Sequence, residues 1–166
     1  MTGSPRPTEA SRLPIRVGVV DQTRTRELRR TVLRPGLPPD APLPGDELPD
    51  AVHLAAVDGE QVIGTCFLYP EPCPWLPDRS GAWHLRQMAT AEDRRGQGVG
   101  AAVLTAAMRE ARARGGELLW CHARESAVWF YRRYGLRPHG EVFTDDRHPI
   151  PHRRMWRELS GVPTSS

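Results

Sequence analysis

Met88-Ala89-Thr90-Ala91-Glu92-Asp93-Arg94-Arg95-Gly96-Gln97-Gly98-Val99-Gly100 is the stretch that decides the fold. Upstream of the glycines, Trp83 to Thr90 alternates like a strand. Trp83, Leu85, Gln87 and Ala89 are expected on one face, and His84, Arg86, Met88 and Thr90 on the other. Downstream, a helix is expected from about Gly98 to Arg114. Its Gly100, Val103, Leu104, Ala107, Met108 and Ala111 fall at the spacing of a core-facing stripe, and Gly115-Gly116 ends it. A strand, a basic glycine turn and a helix start together form an anion site. Unpaired N–H groups and the helix dipole favour negative charge, and glycines let a phosphate come close. Arg94 and Arg95 add charge-assisted donors.

Three ligands compete for such a turn. A Walker nucleotide site needs Lys and then Ser or Thr after its last glycine, whereas Gly100 is followed by Ala101-Ala102. A dinucleotide fingerprint is satisfied by Gly96, Gly98 and Ala101. That fold, however, wants a tight turn where Ala91 to Arg95 intervene, and more chain after the turn than remains here. The third candidate depends on motifs in the rest of the chain.

Working outward, Ile15 to Val20 reads as a first strand, followed by a helix capped by Asp21 or Thr23 and running to about Leu33. Residues 34–50 are proline-rich and irregular. Val52–Val57 and Val62–Tyr69 pair through Asp58-Gly59. A second proline-rich loop precedes the central strand. Leu118–Ala123 is a short strand, Glu125–Tyr134 a helix with Ala127, Phe130, Tyr131 and Tyr134 on one side, and two strands follow at about Arg137–Phe143 and His152–Leu159. The order implies a single α/β domain with a mixed sheet. We expect tails at 1–13 and 160–166 around a domain at 14–159.

With 39% apolar and 26% charged residues the chain is globular rather than disordered. It has no apolar run of the roughly 20 residues that a membrane span requires and no signal region, so a cytoplasmic protein is expected. All basic residues are Arg. The cluster Arg24, Arg26, Arg29, Arg30 and Arg34 reads as a solvated helix face rather than a nucleic-acid surface. Cys66, Cys73 and Cys121 form no CxxC pair, and Pro149 and Pro151 interrupt His148 and His152, so no metal is expected.

Arg95-x-x-Gly98-x-Gly100 matches the [Q/R]-x-x-G-x-[G/A] signature of the GNAT superfamily of acetyltransferases. Ala127-Val128-Trp129-Phe130-Tyr131-Arg132-Arg133-Tyr134-Gly135-Leu136 resembles its A-x-x-F-Y-x-x-x-G-F segment, and Ile150 to Met155 resembles the ending of the ElaA-like branch. The resemblance covers about residues 15–159. It implies about seven strands splayed between the fourth and fifth, with helices on both faces. It implies acetyl-CoA as co-substrate, with Met88, Ala89 and Thr90 beside its pantetheine and Arg94, Arg95, Gly96, Gln97, Gly98, Val99, Gly100 and Ala101 around its pyrophosphate. An acceptor amine attacks the thioester directly, and the N–H near Met88 or Ala89 holds the oxyanion.

By the same resemblance, Tyr131 matches the position where many members place the residue that protonates the departing thiolate. The Glu that many relatives carry on strand four is replaced by Arg86. His84 on the same face is then a candidate base, with His122 and His152 as rivals. Ser126 is expected to cap its helix. The expected acceptor is a small molecule rather than a protein, on a monomer or homodimer, drawn by Asp40, Asp46, Glu47 and Asp50 if cationic. Two other readings remain: a non-catalytic acyl-CoA-binding module, suggested by Arg86, and a dinucleotide-binding protein.

Overall fold

Asp21 accepts a hydrogen bond from the Thr23 amide (2.9 Å) and so turns β1 (Arg16–Val20) into α1 (Gln22–Leu33). The structure is a computed structural model and describes residues 15–163. The tail expected over 1–13 lies outside the described residues, as does part of that expected at 160–166.

Prolines keep residues 34–50 irregular. β2 (Val52–Asp58) and β3 (Gln61–Pro70) form a hairpin around Gly59, and β4 (Ala82–Thr90) follows the second proline-rich loop. A 3-10 turn, Glu92–Arg94, leads to α2 (Val99–Ala113) and β5 (Leu118–Arg124). Another, Glu125–Ala127, leads to α3 (Val128–Arg133), and β6 (Arg137–Phe143) and β7 (His152–Glu158) close the sheet. The seven strands run β1-β2-β3-β4-β5-β7-β6. All pairings are antiparallel except β4 with β5.

The expected α2 stripe packs as a core. Val99, Val103, Leu104, Ala107, Met108 and Ala111 are buried with Leu54, Cys66, Leu68, Leu85 and Cys121 from the sheet and Tyr131 from α3. Gly64 makes the approach possible, because a Cβ there would stand 2.5 Å from Val99 Cγ1. The other face carries a row of rings: His53, Phe67, Tyr69, His84 and Trp120. The 34–50 arm covers part of it, with Gly45 against Phe67, and α1 lies over it through Arg29.

Four expectations need correction. The alternation along β4 fails past Arg86, where the pairing with β3 shifts register. Gln87 takes a left-handed φ of 53° and turns from the Trp83 and Leu85 face, its side chain meeting Arg29 and the Pro44 carbonyl. Thr90 thereby comes round to α2, with Oγ1 3.7 Å from where a Cβ on Gly100 would be. The helix expected from Glu125 begins only at Val128, and its N-cap is Ala127 with no side-chain capping bond, so Ser126 does not cap it. Nor is the α1 arginine cluster wholly solvated: Arg29 is buried, because it shares a helix face with Thr25 and Leu28.

Candidate active site

β4 and β5 share only three rungs, Ala82 with Leu118, Trp83 with Leu119, and His84 with Trp120. Beyond His84 the strands part. β5 keeps its ladder with β7 as far as Arg124, while β4 continues to Thr90 paired only with β3. The backbone of residues 85–90 on this side therefore has no strand partner, and a fork opens in the middle of the sheet.

The amide-rich turn lies at the open end of this fork. The chain leaves the Glu92–Arg94 turn through an extended Arg95 and passes Gly96 and Gly98 at φ 77° and 83°. It enters α2 with Gly98 as N-cap, and the Gly98 carbonyl accepts the Ala102 amide. A Cβ on Gly96 or Gly98 would meet nothing within 4 Å, so open space faces the turn. The first N–H groups of α2 carry no helical partner and supply donors there. Arg94 is occupied elsewhere: its Nη2 donates to Asp58 Oδ2 (2.8 Å) and its Nε to Gln97 Oε1 (3.1 Å), which brace the turn. Arg95 is exposed and is the guanidinium available to an anion. The turn thus presents backbone amides and an exposed guanidinium to open space, a setting that favours an anion.

The two faces of the fork differ in chemistry. On the α2 face, Tyr131 is buried near Cys66 and Cys121, and burial pushes its phenol well above the usual range. On the opposite face, His84 stacks flat on Trp120, with centroids 3.6 Å apart and planes at 9°. Its Nδ1 lies 2.7 Å from Glu71 Oε2 and 3.2 Å from the Tyr69 hydroxyl. His122 is half-buried farther along β5, against Trp75, Phe143 and His148. His152 bonds the Ile150 carbonyl at the start of β7, between β5 and β6. Among the described residues, no group of three His, Cys, Asp or Glu side chains is placed to hold a metal ion.

Comparison with known proteins agrees with this arrangement. The model of the acetyltransferase (GNAT) family matches residues 23–136. The chain belongs to the GNAT acetyltransferase family. It is 29% identical over 120 residues to the uncharacterized N-acetyltransferase YitI of Bacillus subtilis, a match that spans 72% of this chain and 80% of that one. Its fold is similar to that of Escherichia coli ElaA, with a TM-score of 0.69, 17% identity, and coverage of 87% of this chain and 100% of the other. It is likewise similar to an aminoglycoside 6'-N-acetyltransferase solved with coenzyme A, with a TM-score of 0.68, 17% identity, and coverage of 89% and 99%. The seven-stranded sheet, open between its fourth and fifth strands, is the GNAT fold that the motifs implied.

Within this GNAT domain, sequence reasoning missed Glu71. It sits between Pro70 and Pro72, where no periodicity marks a strand or helix, and only the fold brings it to His84. Asp46, expected as a lure for cations, is instead paired with Arg26 (3.0 Å) and Arg29 (2.8 Å). Asp40, Glu47 and Asp50 remain exposed.

Two buried histidines, His53 and His84, and the half-buried His122 give this domain an acid limit. Burial pulls His53, His84 and His122 each down to about 4, reinforced at His53 by Arg29 and at His122 by His148, and opposed at His84 by Glu71. The folded state keeps them neutral, whereas the unfolded chain binds protons from pH ~6.5 downward. The stabilisation is therefore complete above pH ~6.5 and is lost as pH falls toward 4, at about 1.4 kcal/mol per pH unit for each proton taken up. Urea midpoints should fall steeply between pH 6.5 and 5, corresponding to uptake of about two protons or more on unfolding. A flat profile over that range would mean the histidines titrate alike in both states.

Proposed function

We propose that this protein is an acetyl-CoA-dependent N-acetyltransferase that works by direct attack of an amine in a ternary complex. The observation that carries the reading is the fork: two parallel strands that part after three rungs, with an amide-rich turn at the open end. The free edge of Met88, Ala89 and Thr90 supplies strand-like partners for a pantetheine. Arg95, Gly96, Gln97, Gly98, Val99, Gly100 and Ala101 surround the pyrophosphate, and Arg94 braces them through Asp58. The amine nitrogen bonds to the thioester carbon, the N–H near Met88 or Ala89 holds the oxyanion, and the C–S bond breaks. His84 takes the amine proton as attack proceeds, and Tyr131 donates a hydrogen bond to the departing sulfur on the opposite face. Burial of Tyr131 makes full proton transfer to a thiolate uphill, so its contribution is chiefly as a donor.

The acceptor is a small amine entering on the ring-lined face, between the 34–50 arm and the loop that carries Trp75. Calorimetry should detect acetyl-CoA binding, and an amine panel with thiol detection should find an acceptor. Tyr131→Phe should then lower kcat about tenfold to a hundredfold, the worth of a hydrogen bond to a charged group, with acetyl-CoA affinity unchanged. Absence of acetyl-CoA binding would sink the reading. Binding without thiol release across the panel would favour an acyl-CoA-binding module. Arg86 lends that second reading its support, because it stands where a Glu would help to remove a proton and instead lies over Phe67.

A further inference from the structure

Glu71 is held at the fork by more bonds than a loop carboxylate needs. Its amide donates to the Ala82 carbonyl (3.1 Å), and its own carbonyl accepts the Trp120 indole N–H (2.9 Å). The backbone is thus tied to both strands of the fork, to β4 at the first shared rung and to β5 at the last, and the carboxylate is delivered to His84 Nδ1 at 2.7 Å. Burial alone would raise Glu71, but hydrogen bonds from His84 and Tyr69 outweigh it and hold the carboxyl below its usual range. An ionised carboxylate only accepts hydrogen bonds. Nδ1 must therefore carry the proton, the Tyr69 hydroxyl turns its hydrogen to Glu71, and Arg86 Nη1 backs the Tyr69 oxygen at 3.4 Å.

We propose that Glu71 is a positioning residue for acyl transfer, fixing His84 as the Nδ1–H tautomer so that Nε2 is the free acceptor for the proton of the attacking amine. This rests on the N-acetyltransferase reading. In the step, the N–C bond forms and the C–S bond breaks. One proton moves from nitrogen to Nε2, sulfur leaves with the bonding pair, and His84 later returns its proton to water. The charged and titratable groups around the imidazole are Glu71 from the loop, Tyr69 from β3, Arg86 from β4 and His122 from β5. Arg86, His122 and burial disfavour an imidazolium. Glu71 opposes them, and the face of Trp120 adds a cation–π contact once the charge forms.

The resting protein provides a test that needs no acceptor. Two-bond proton–nitrogen correlations on labelled protein at pH 7, with His84 assigned through His84→Gln, should show Nδ1 protonated and Nε2 bare. The opposite tautomer overturns the proposal, whatever the enzyme does. With an amine that the wild type acetylates, Glu71→Gln should lower kcat about a hundredfold and leave KM for acetyl-CoA within about twofold. Glu71→Asp should recover part of the loss, and Glu71→Gln should add nothing in a His84→Ala background. The acid limb of kcat should move to lower pH in Glu71→Gln, since the carboxylate removed is the group that raises the proton affinity of His84. A Glu71→Gln enzyme with wild-type kcat overturns the proposal. A protein that binds no acetyl-CoA refutes the functional reading instead, and the tautomer still judges the role of Glu71.

Discussion

Gly98→Glu should abolish acetyl-CoA binding in calorimetry while the protein stays folded. Gly98 is the N-cap of α2 at φ 83° and ψ 8°, a left-handed conformation that costs an L-residue about 1–2 kcal/mol. No atom lies within 4 Å of the position its Cβ would take, so the new side chain meets no packed neighbour and the core is spared. The open space it enters is the space in front of the turn. There a carboxylate stands where the first amides of α2 and Arg95 are arranged to receive negative charge. It competes for those donors and repels a pyrophosphate. Strain and repulsion together are expected to cost about 4 kcal/mol, or about a thousandfold in affinity. Gly98→Ala separates the two effects: it carries the strain without the charge and should lose about tenfold. Acetyl-CoA affinity of Gly98→Glu within fivefold of the wild type would show that the pyrophosphate binds somewhere else.

How much of this site is legible in the sequence depends on how local its causes are. The turn is legible because glycines at positive φ, flanking arginines and a helical stripe all fall within one short stretch. The hairpin around Gly59 and the capping of α1 by Asp21 are local in the same sense. The bulge at Gln87 is not. Nothing in Arg86-Gln87-Met88 demands a left-handed residue, and what holds it comes from Arg29 and Pro44, far away in the chain. A period-two reading of β4 therefore assigns the wrong faces beyond that point. Glu71 is hidden for a related reason, since its partner His84 lies across a proline-rich loop that has no periodicity of its own. Arg29 does leave a trace in the sequence. Thr25, Leu28, Arg29 and Val32 share one helical face, so an inward-facing stripe has to include one arginine of the cluster.

That arginine bears the second large effect. Asp46→Asn should destabilise the fold by about 3–5 kcal/mol, read as a drop in urea midpoint with the slope unchanged. The Arg29 side chain is 0% exposed and that of Asp46 10%, with Nη2 to Oδ1 at 2.8 Å. Arg29 also donates from Nε to Thr25 Oγ1 (3.0 Å), from Nη1 to Gln87 Oε1 (3.2 Å) and from Nη2 to the Gln22 carbonyl (3.5 Å). Asp46 also accepts from Arg26 and from the Leu43 amide, so it ties the 34–50 arm to α1. Replacing the carboxylate leaves a guanidinium buried beside a neutral amide. That desolvated charge, rather than the lost contact, accounts for most of the cost. The double variant Arg29→Met with Asp46→Leu tests this directly. It removes both charges and should be more stable than Asp46→Asn, although the arm loses its anchor. If Asp46→Asn costs under about 1 kcal/mol, the pair behaves like a surface ion pair and burial at Arg29 is relieved some other way. The consequence reaches the fork, because the guanidinium that answers Asp46 also holds Gln87 in its left-handed bend. An arginine freed from Asp46 relaxes the bulge and with it the amides of Met88 and Ala89. At temperatures where Asp46→Asn is still folded, kcat should therefore fall more than acetyl-CoA affinity, since the glycine turn is braced independently by Arg94 and Asp58.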